Sequence, residues 1–174
     1  MEWILREVCK LKKKYPNYTL SEVCAEKGIT VVFRPMGTQQ GACKGFFFRR
    51  CRLSYMVVNC DLSELVQKII IAHELAHSVL HRDAPQLTAF HEVSLFDDTQ
   101  KMEYEANIFA AEYLLDDERV FEVLNDDLSF SGAAAALSVP IELLDFKWRA
   151  MKRRGVMIID PPMIAGSDFL KHIE

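Results

Sequence analysis

The residues best suited to chemistry form the segment His73–His77, which reads H-E-L-A-H. Two histidines four residues apart lie on one face of a helix, about 6 Å apart along its axis, so both imidazoles can reach one metal ion. Glu74 follows the first histidine directly and can act as a general base toward water at that ion. The spacing therefore predicts a zinc-dependent hydrolytic site, with His73 and His77 as ligands and Glu74 as the catalytic base.

A catalytic zinc site needs a third protein ligand, and residues 103–111 supply two candidate carboxylates. Glu103 and Glu105 are separated by about 200° around a helix, so we expect only one of them to face the metal. Glu103 shares a face with Asn107, which can hold a ligand histidine through a hydrogen bond outside the ligand set. The pattern favours Glu103, and Glu105 stays open as its rival.

Two further residues, His81 and Asp83, are weaker ligand candidates. His81 lies about 12 Å along the helix from His73, too far for both to bind one ion. Asp83 occupies the third-ligand position of the extended motif H-E-x-x-H-x-x-G-x-x-H, but that motif needs glycine where this sequence has Leu80. We therefore place both residues outside the ligand set. The donor that stabilises the oxyanion is left open, and the candidates are His81, His91 and Tyr104.

Upstream of these residues the sequence predicts two helices and a small sheet. Residues 2–13 form one helix, and Thr19 or Ser21 can cap a second that ends at Gly28. Three runs rich in β-branched and aromatic residues then predict strands, the last two joined as a hairpin: residues 29–33, 46–50 and 54–59.

The metal-binding segment lies within a long helix that Asp61 is expected to cap, with Glu64 as its reciprocal partner. Apolar residues cover much of the girth of this helix, so we expect it to be central and buried. Further helices are predicted over residues 99–115 and 131–154, the latter interrupted at Pro140. Together these patterns predict an α+β fold, a mainly helical single domain with about three strands packed on the metal-binding helix.

Composition excludes several classes of protein. The 174 residues are 50% hydrophobic and 26% charged with a net charge of −4, which excludes intrinsic disorder and disfavours a generally basic nucleic-acid binder. No apolar run approaches the ~18 residues of a membrane span, and the first residues lack the apolar core of a signal peptide. The five cysteines have no C-x-x-C spacing and are typical of reduced thiols, so we expect a cytoplasmic protein.

The order of a short sheet, the H-E-L-A-H segment, a loop and residues 103–115 (EYEANIFAAEYLL) resembles the ImmA/IrrE family of bacterial metallopeptidases. The resemblance covers roughly residues 15–155, and the two motifs in this order and spacing are specific. It implies a zinc-dependent endopeptidase with a minimal thermolysin-like core. One departure is visible: family members often end the second motif's helix with Leu-Met-Pro, whereas residues 114–116 read L-L-D. Asp116 is itself a good cap for a following helix.

The resemblance also assigns the site residues. It places the zinc ligands on His73, His77 and Glu103 and the catalytic base on Glu74. The family's third ligand stands four residues before the asparagine of its second motif, which favours Glu103 over Glu105. Zinc suits a His/His/Glu set, although manganese or iron can also occupy one.

The resemblance further implies a protein substrate. ImmA/IrrE-like proteins of this size are typically encoded beside a helix-turn-helix repressor, often on phages or conjugative elements, and they relieve repression by cleaving that repressor. The alternative from a different class is a non-catalytic anti-repressor that binds the regulator in the same groove and displaces it from DNA.

Residues 131–154 permit a second hypothesis, a helix-turn-helix whose basic second helix binds DNA. Core-like side chains such as Trp148 and the net acidic charge favour instead a helical pair packed on the catalytic domain, with basic residues from Lys147 to Arg154 on a solvated face. We therefore expect a single metallopeptidase domain, residues 1–174, made of a catalytic core (15–128), a C-terminal helical part (129–155) and a tail (156–174).

Overall fold

The computed structural model describes residues 2–50, 53–81, 97–126 and 128–156, which contain seven helices and three strands. The mainly helical α+β fold predicted from the sequence is confirmed. The elements are α1 (Glu2–Lys14), α2 (Leu20–Glu26), β1 (Ile29–Arg34), β2 (Gly45–Arg50), β3 (Leu53–Asn59), α3 (Glu64–Leu80), α4 (Asp97–Leu114), α5 (Asp117–Asn125), α6 (Phe130–Ala136) and α7 (Ile141–Arg153).

The sheet has the strand order β1-β3-β2, with β3 in the centre. β3 runs parallel to β1 and antiparallel to β2, so the predicted hairpin is confirmed. Alternate β3 residues, Met56 and Val58, are fully buried on the core side of the sheet. At the start of β2, a Cβ on Gly45 would lie 2.6 Å from the Ile70 side chain, so glycine is what lets this strand pack closely against α3.

Two helix caps were predicted, and one of them is wrong. Of the two candidates Thr19 and Ser21, Thr19 caps α2: its hydroxyl accepts a hydrogen bond from the Glu22 amide, and the Thr19 amide donates to the Glu22 carboxylate at 2.7 Å. Ser63 rather than Asp61 caps α3, because Ser63 is the last extended residue before the helix and its Oγ accepts from the Val66 amide. Asp61 instead accepts a hydrogen bond from the Gly37 amide at 2.7 Å. This bond joins the loop between β1 and β2 to the turn that follows β3.

Helix α3 is the central element, as its apolar girth predicted. Ten of its 17 residues are buried, including His73 and Glu74. It packs against β3, α2 and α4. Polar groups inside such a helix cost free energy unless other polar groups satisfy them, so the burial of a histidine and a glutamate points to partners nearby.

Helix α4 packs against α3, and its small side chains Ala106, Ala110 and Ala111 are fully buried. Helix α7 packs on another side of α4, and α6 packs on α7. Pro140 interrupts these last two helices as predicted and stands as the N-cap of α7. The apolar side chains of the pair enter the common core: Ala133, Leu143, Leu144, Phe146 and Met151.

A buried charge cluster joins α7 to α4 and α5, so the solvated basic face predicted for this helix is wrong for Lys147, although Arg153 is exposed. Lys147 and Glu112 are only 1% and 3% exposed, and their side chains form an ion pair at 2.6 Å. Lys147 also contacts Asp117, and Arg154 contacts both carboxylates. Apolar side chains flank Lys147 along α7, so its ammonium reaches inward toward Glu112 instead of toward water.

The four cysteines within the described residues are free thiols. Burial raises the pKa of the Cys24 thiol to about 12, because apolar surroundings disfavour the thiolate. Among the described helices, none is long and apolar enough to cross a membrane.

Candidate metal centre

The crossing of α3 and α4 brings together His73, His77 and Glu103. The two histidine Nε2 atoms lie 3.1 Å apart. Glu103 approaches both of them, with Oε2 at 3.1 Å from Nε2 of His73 and Oε1 at 3.4 Å from Nε2 of His77. Ligand atoms held at 2.0–2.1 Å around a tetrahedral zinc ion are about 3.3 Å apart. The spacing of these three side chains therefore fits a single metal ion.

Asn107 determines which nitrogen of His73 carries a proton. Its Oδ1 lies 2.8 Å from Nδ1 of His73, and both residues are buried. An amide oxygen can only accept, so Nδ1 of His73 must be the donor. In the neutral ring Nε2 is then unprotonated, and this nitrogen faces Nε2 of His77 and the Glu103 carboxylate. Asn107 thus occupies the supporting position that its spacing from Glu103 suggested.

The electrostatics of the cluster favour a cation. Burial by itself lowers the pKa of His73, because apolar surroundings disfavour an imidazolium. The hydrogen bond and the charge of Glu103, together with the charge of Glu74, outweigh burial and raise the pKa of His73 above its ordinary value of 6.5. Two imidazole nitrogens and a carboxylate that converge in this way attract either a proton or a metal ion.

Glu74 follows His73 in α3 and is buried, with 9% of its surface exposed. Its negative charge acts on the imidazole of His73. The Glu74 carboxylate is therefore close enough to His73 to act on its imidazole, and Glu74 is the residue that the H-E-L-A-H pattern predicts as a general base.

His81 and Glu105 do not join the three converging ligand atoms, but they form a pair that adjoins them. Nδ1 of His81 lies 3.1 Å from Nδ1 of His77, and Nε2 of His81 lies 3.0 Å from Oε2 of Glu105. The sequence suggests Glu105 only as a rival of Glu103, and its pairing with His81 was not predicted. A signal was present, since His77 and His81 have the same four-residue spacing as His73 and His77.

Two of the three candidates for the oxyanion donor, Tyr104 and His81, have contacts with other side chains. The ring of Tyr104 packs against Phe146 with ring centroids 5.6 Å apart, and the Arg153 guanidinium lies 5.9 Å from its centroid, so Tyr104 faces α7. His81 is hydrogen-bonded to His77 and Glu105 as described above. His91 and Asp83, like most of the predicted tail over 156–174, lie outside the described residues.

Comparison with known proteins finds a peptidase family and two phage or bacterial proteins to which this chain is similar. The peptidase family described as the IrrE N-terminal-like domain matches residues 24–149, which include both site helices. Uncharacterized immunity region protein 2 of Bacillus phage phi105 is 31% identical over 140 residues, covering 80% of this chain and 85% of that protein. Metallopeptidase ImmA of Bacillus subtilis strain 168 is 26% identical over 147 residues, covering 83% of each chain.

Proposed function

Because this chain belongs to the peptidase family with the IrrE N-terminal-like domain, we propose that it is a zinc-dependent endopeptidase that cleaves a helix-turn-helix repressor. The observation that carries the proposal is the convergence of His73, His77 and Glu103 between α3 and α4, with the buried Glu74 next to His73 in α3. Two imidazole nitrogens and one carboxylate form a donor set suited to zinc.

In this proposal His73, His77 and Glu103 hold the metal. A bound zinc ion would activate a water molecule for attack and polarise the scissile carbonyl. The Glu74 carboxylate accepts the proton from that water during the attack and then donates it to the leaving amine. Asn107 keeps the ring of His73 in the tautomer and orientation that present Nε2 to the site.

The proposed substrate is supported by the relatives. One carries the name of a phage immunity region, and another is named a metallopeptidase. A protease that acts on the repressor of such a region would connect the two names. We therefore propose the repressor encoded nearest to this gene as the first substrate to test.

The test compares the wild-type chain with Glu74→Gln, both loaded with zinc and incubated with that repressor. We expect the wild type to cut the repressor at a defined bond, identified by mass spectrometry, and a chelator to stop the reaction. Glu74→Gln should retain one zinc per chain and lose cleavage, because its amide cannot accept the proton from water. Glu122→Gln, an exposed change on α5, serves as the matched control and should cleave as the wild type does.

Two outcomes would contradict the proposal. Cleavage by Glu74→Gln at the wild-type rate would remove Glu74 from the reaction. A zinc-loaded wild type that releases the repressor from DNA without cutting it, with Glu74→Gln equally effective, would instead support the non-catalytic anti-repressor.

A further inference from the structure

The pair His81–Glu105 lies next to the metal centre and has no part in the reaction described above. His81 is the C-cap residue of α3, and its side chain is 8% exposed. Glu105 projects from α4 and is 16% exposed. A carboxylate and an imidazole in such a poorly hydrated place need defined hydrogen-bond partners, and each supplies one to the other.

The proton positions along this chain of residues follow from the groups that can only accept. The Glu105 carboxylate accepts, so Nε2 of His81 carries the proton of their 3.0 Å contact. In a neutral ring this leaves Nδ1 of His81 as an acceptor, and Nδ1 of His77 must donate across the 3.1 Å contact between them. Nε2 of His77 is then unprotonated, and it is the atom that faces Nε2 of His73 and the Glu103 carboxylate.

We propose that His81 and Glu105 are positioning residues for His77: Glu105 sets the tautomer of His81, and His81 holds the His77 ring so that Nε2 faces the metal. This inference rests on the proposed metal-dependent function. A carboxylate that polarises His81 also makes its Nδ1 a stronger acceptor and thereby increases the basicity of the ligand nitrogen of His77.

The two ligand histidines are therefore held in parallel ways from α4. Asn107 orients His73 directly through its amide oxygen, whereas Glu105 orients His77 through the intervening ring of His81. His77 is the less buried of the two ligands, with 21% of its side chain exposed against 4% for His73. Because His77 is confined less by surrounding atoms, its ring depends more on a hydrogen-bonded partner for its orientation.

The test measures the zinc dissociation constant by competition with a chelator and the visible spectrum of the cobalt-substituted protein. His81→Leu removes the acceptor for Nδ1 of His77, and we expect zinc to bind roughly 10- to 100-fold more weakly. His81→Asn places an amide oxygen near the position of Nδ1, so it should recover most of that loss and restore the cobalt spectrum. Glu105→Leu should weaken zinc binding less than His81→Leu, since the acceptor itself remains.

Glu122→Gln is the matched control for Glu105, because it changes an exposed helical glutamate that pairs with Arg119. Thermal unfolding of each metal-free variant separates metal binding from folding. If His81→Leu fails to fold, the zinc dissociation constants of His81→Asn and Glu105→Leu decide whether the pair positions His77. His81→Asn keeps a polar side chain, and Glu105→Leu keeps one of similar size.

The positioning role would be overturned if folded His81→Leu had the zinc affinity and cobalt spectrum of the wild type. It would also be overturned if His81→Asn bound zinc no better than His81→Leu. These results are distinct from failure of the proposed function. A chain whose zinc affinity depends on His81 but which cleaves no repressor upholds the positioning role and overturns only the substrate proposal. A wild type that binds neither zinc nor cobalt overturns both.

Discussion

Nδ1 of His73 donates a hydrogen bond of 2.8 Å to Oδ1 of Asn107, and this buried contact joins α3 to α4 at the candidate metal centre. It links two residues that are 34 positions apart in the sequence. The contact decides the tautomer of one candidate ligand and also satisfies two polar groups inside the core. A change at Asn107 should therefore affect both metal binding and folding.

We expect Asn107→Leu to weaken zinc binding roughly 10- to 100-fold, because the ring of His73 loses the partner that orients it. The same change should lower the free energy of unfolding by about 1–3 kcal/mol, since a buried N–H of His73 is left without an acceptor. Chelator competition and urea unfolding measure the two effects. Asn125→Ala is the control, because Asn125 is exposed and its side chain donates to the Phe121 carbonyl within its own helix. Unchanged zinc affinity in Asn107→Leu would show that this hydrogen bond does not support the site.

The two carboxylates of α4 should differ in metal content. We expect Glu103→Ala to lose the bound zinc, because its oxygens are the ones that face both Nε2 atoms. Glu105→Ala should retain about one zinc per chain at saturating metal, since Glu105 contacts His81 and not the ligand atoms. Elemental mass spectrometry of the purified proteins measures the ratio. Loss of zinc from Glu105→Ala alone would reverse the assignment of the third ligand.

Breaking the buried ion pair between α4 and α7 should destabilise the fold. Lys147→Met removes the ammonium from the buried Glu112 carboxylate, which keeps Arg154 as its remaining partner, and we expect the free energy of unfolding to fall by about 1–3 kcal/mol. The exposed pair of Arg119 and Glu122 offers the matched control, since Arg119→Met should cost less than about 1 kcal/mol. Urea unfolding of the metal-free proteins compares the two. A cost at Lys147 no larger than at Arg119 would mean that Arg154 alone satisfies Glu112.

Asp117 should make stability depend on pH. Burial acts to raise its pKa, but hydrogen bonds and charges from Lys147 and Arg154 outweigh burial and hold the pKa of Asp117 below its ordinary value of 3.8. A carboxyl group with a lowered pKa in the folded state stabilises the fold above its unfolded pKa and loses that effect as the pH falls through its folded pKa. The stability difference between wild type and Asp117→Asn should therefore be full near about pH 6 and shrink below about pH 4.

Urea unfolding of both proteins at several pH values measures this difference. A difference that stays constant down to about pH 2 would mean that Asp117 contributes through packing and not through its charge.

Much of the fold could be predicted because its signals are local. The capping box of Thr19 and Glu22 lies within four residues, and strand composition is read from short runs. The cap of α3 shows the limit of such signals: Asp61 and Ser63 are both good caps by type, and the path of the chain after β3 decided for Ser63. Likewise, the run of basic residues in α7 predicted that Lys147 would be solvated. Its burial depends on Glu112, which lies on α4 and pairs with the Lys147 ammonium inside the protein.

The pairing of His73 with His77 could be predicted from the sequence alone, because the period of a single helix sets which of its residues share a face. The spacing from Asn107 favoured Glu103 over Glu105, and the resemblance to a known family implied the same ligand. That Asn107 bonds to His73, and that His81 and Glu105 form a pair beside His77, could be seen only once the helices were packed. These contacts cross between α3 and α4, whose relative placement depends on how their buried side chains pack, and no spacing within one helix encodes that packing.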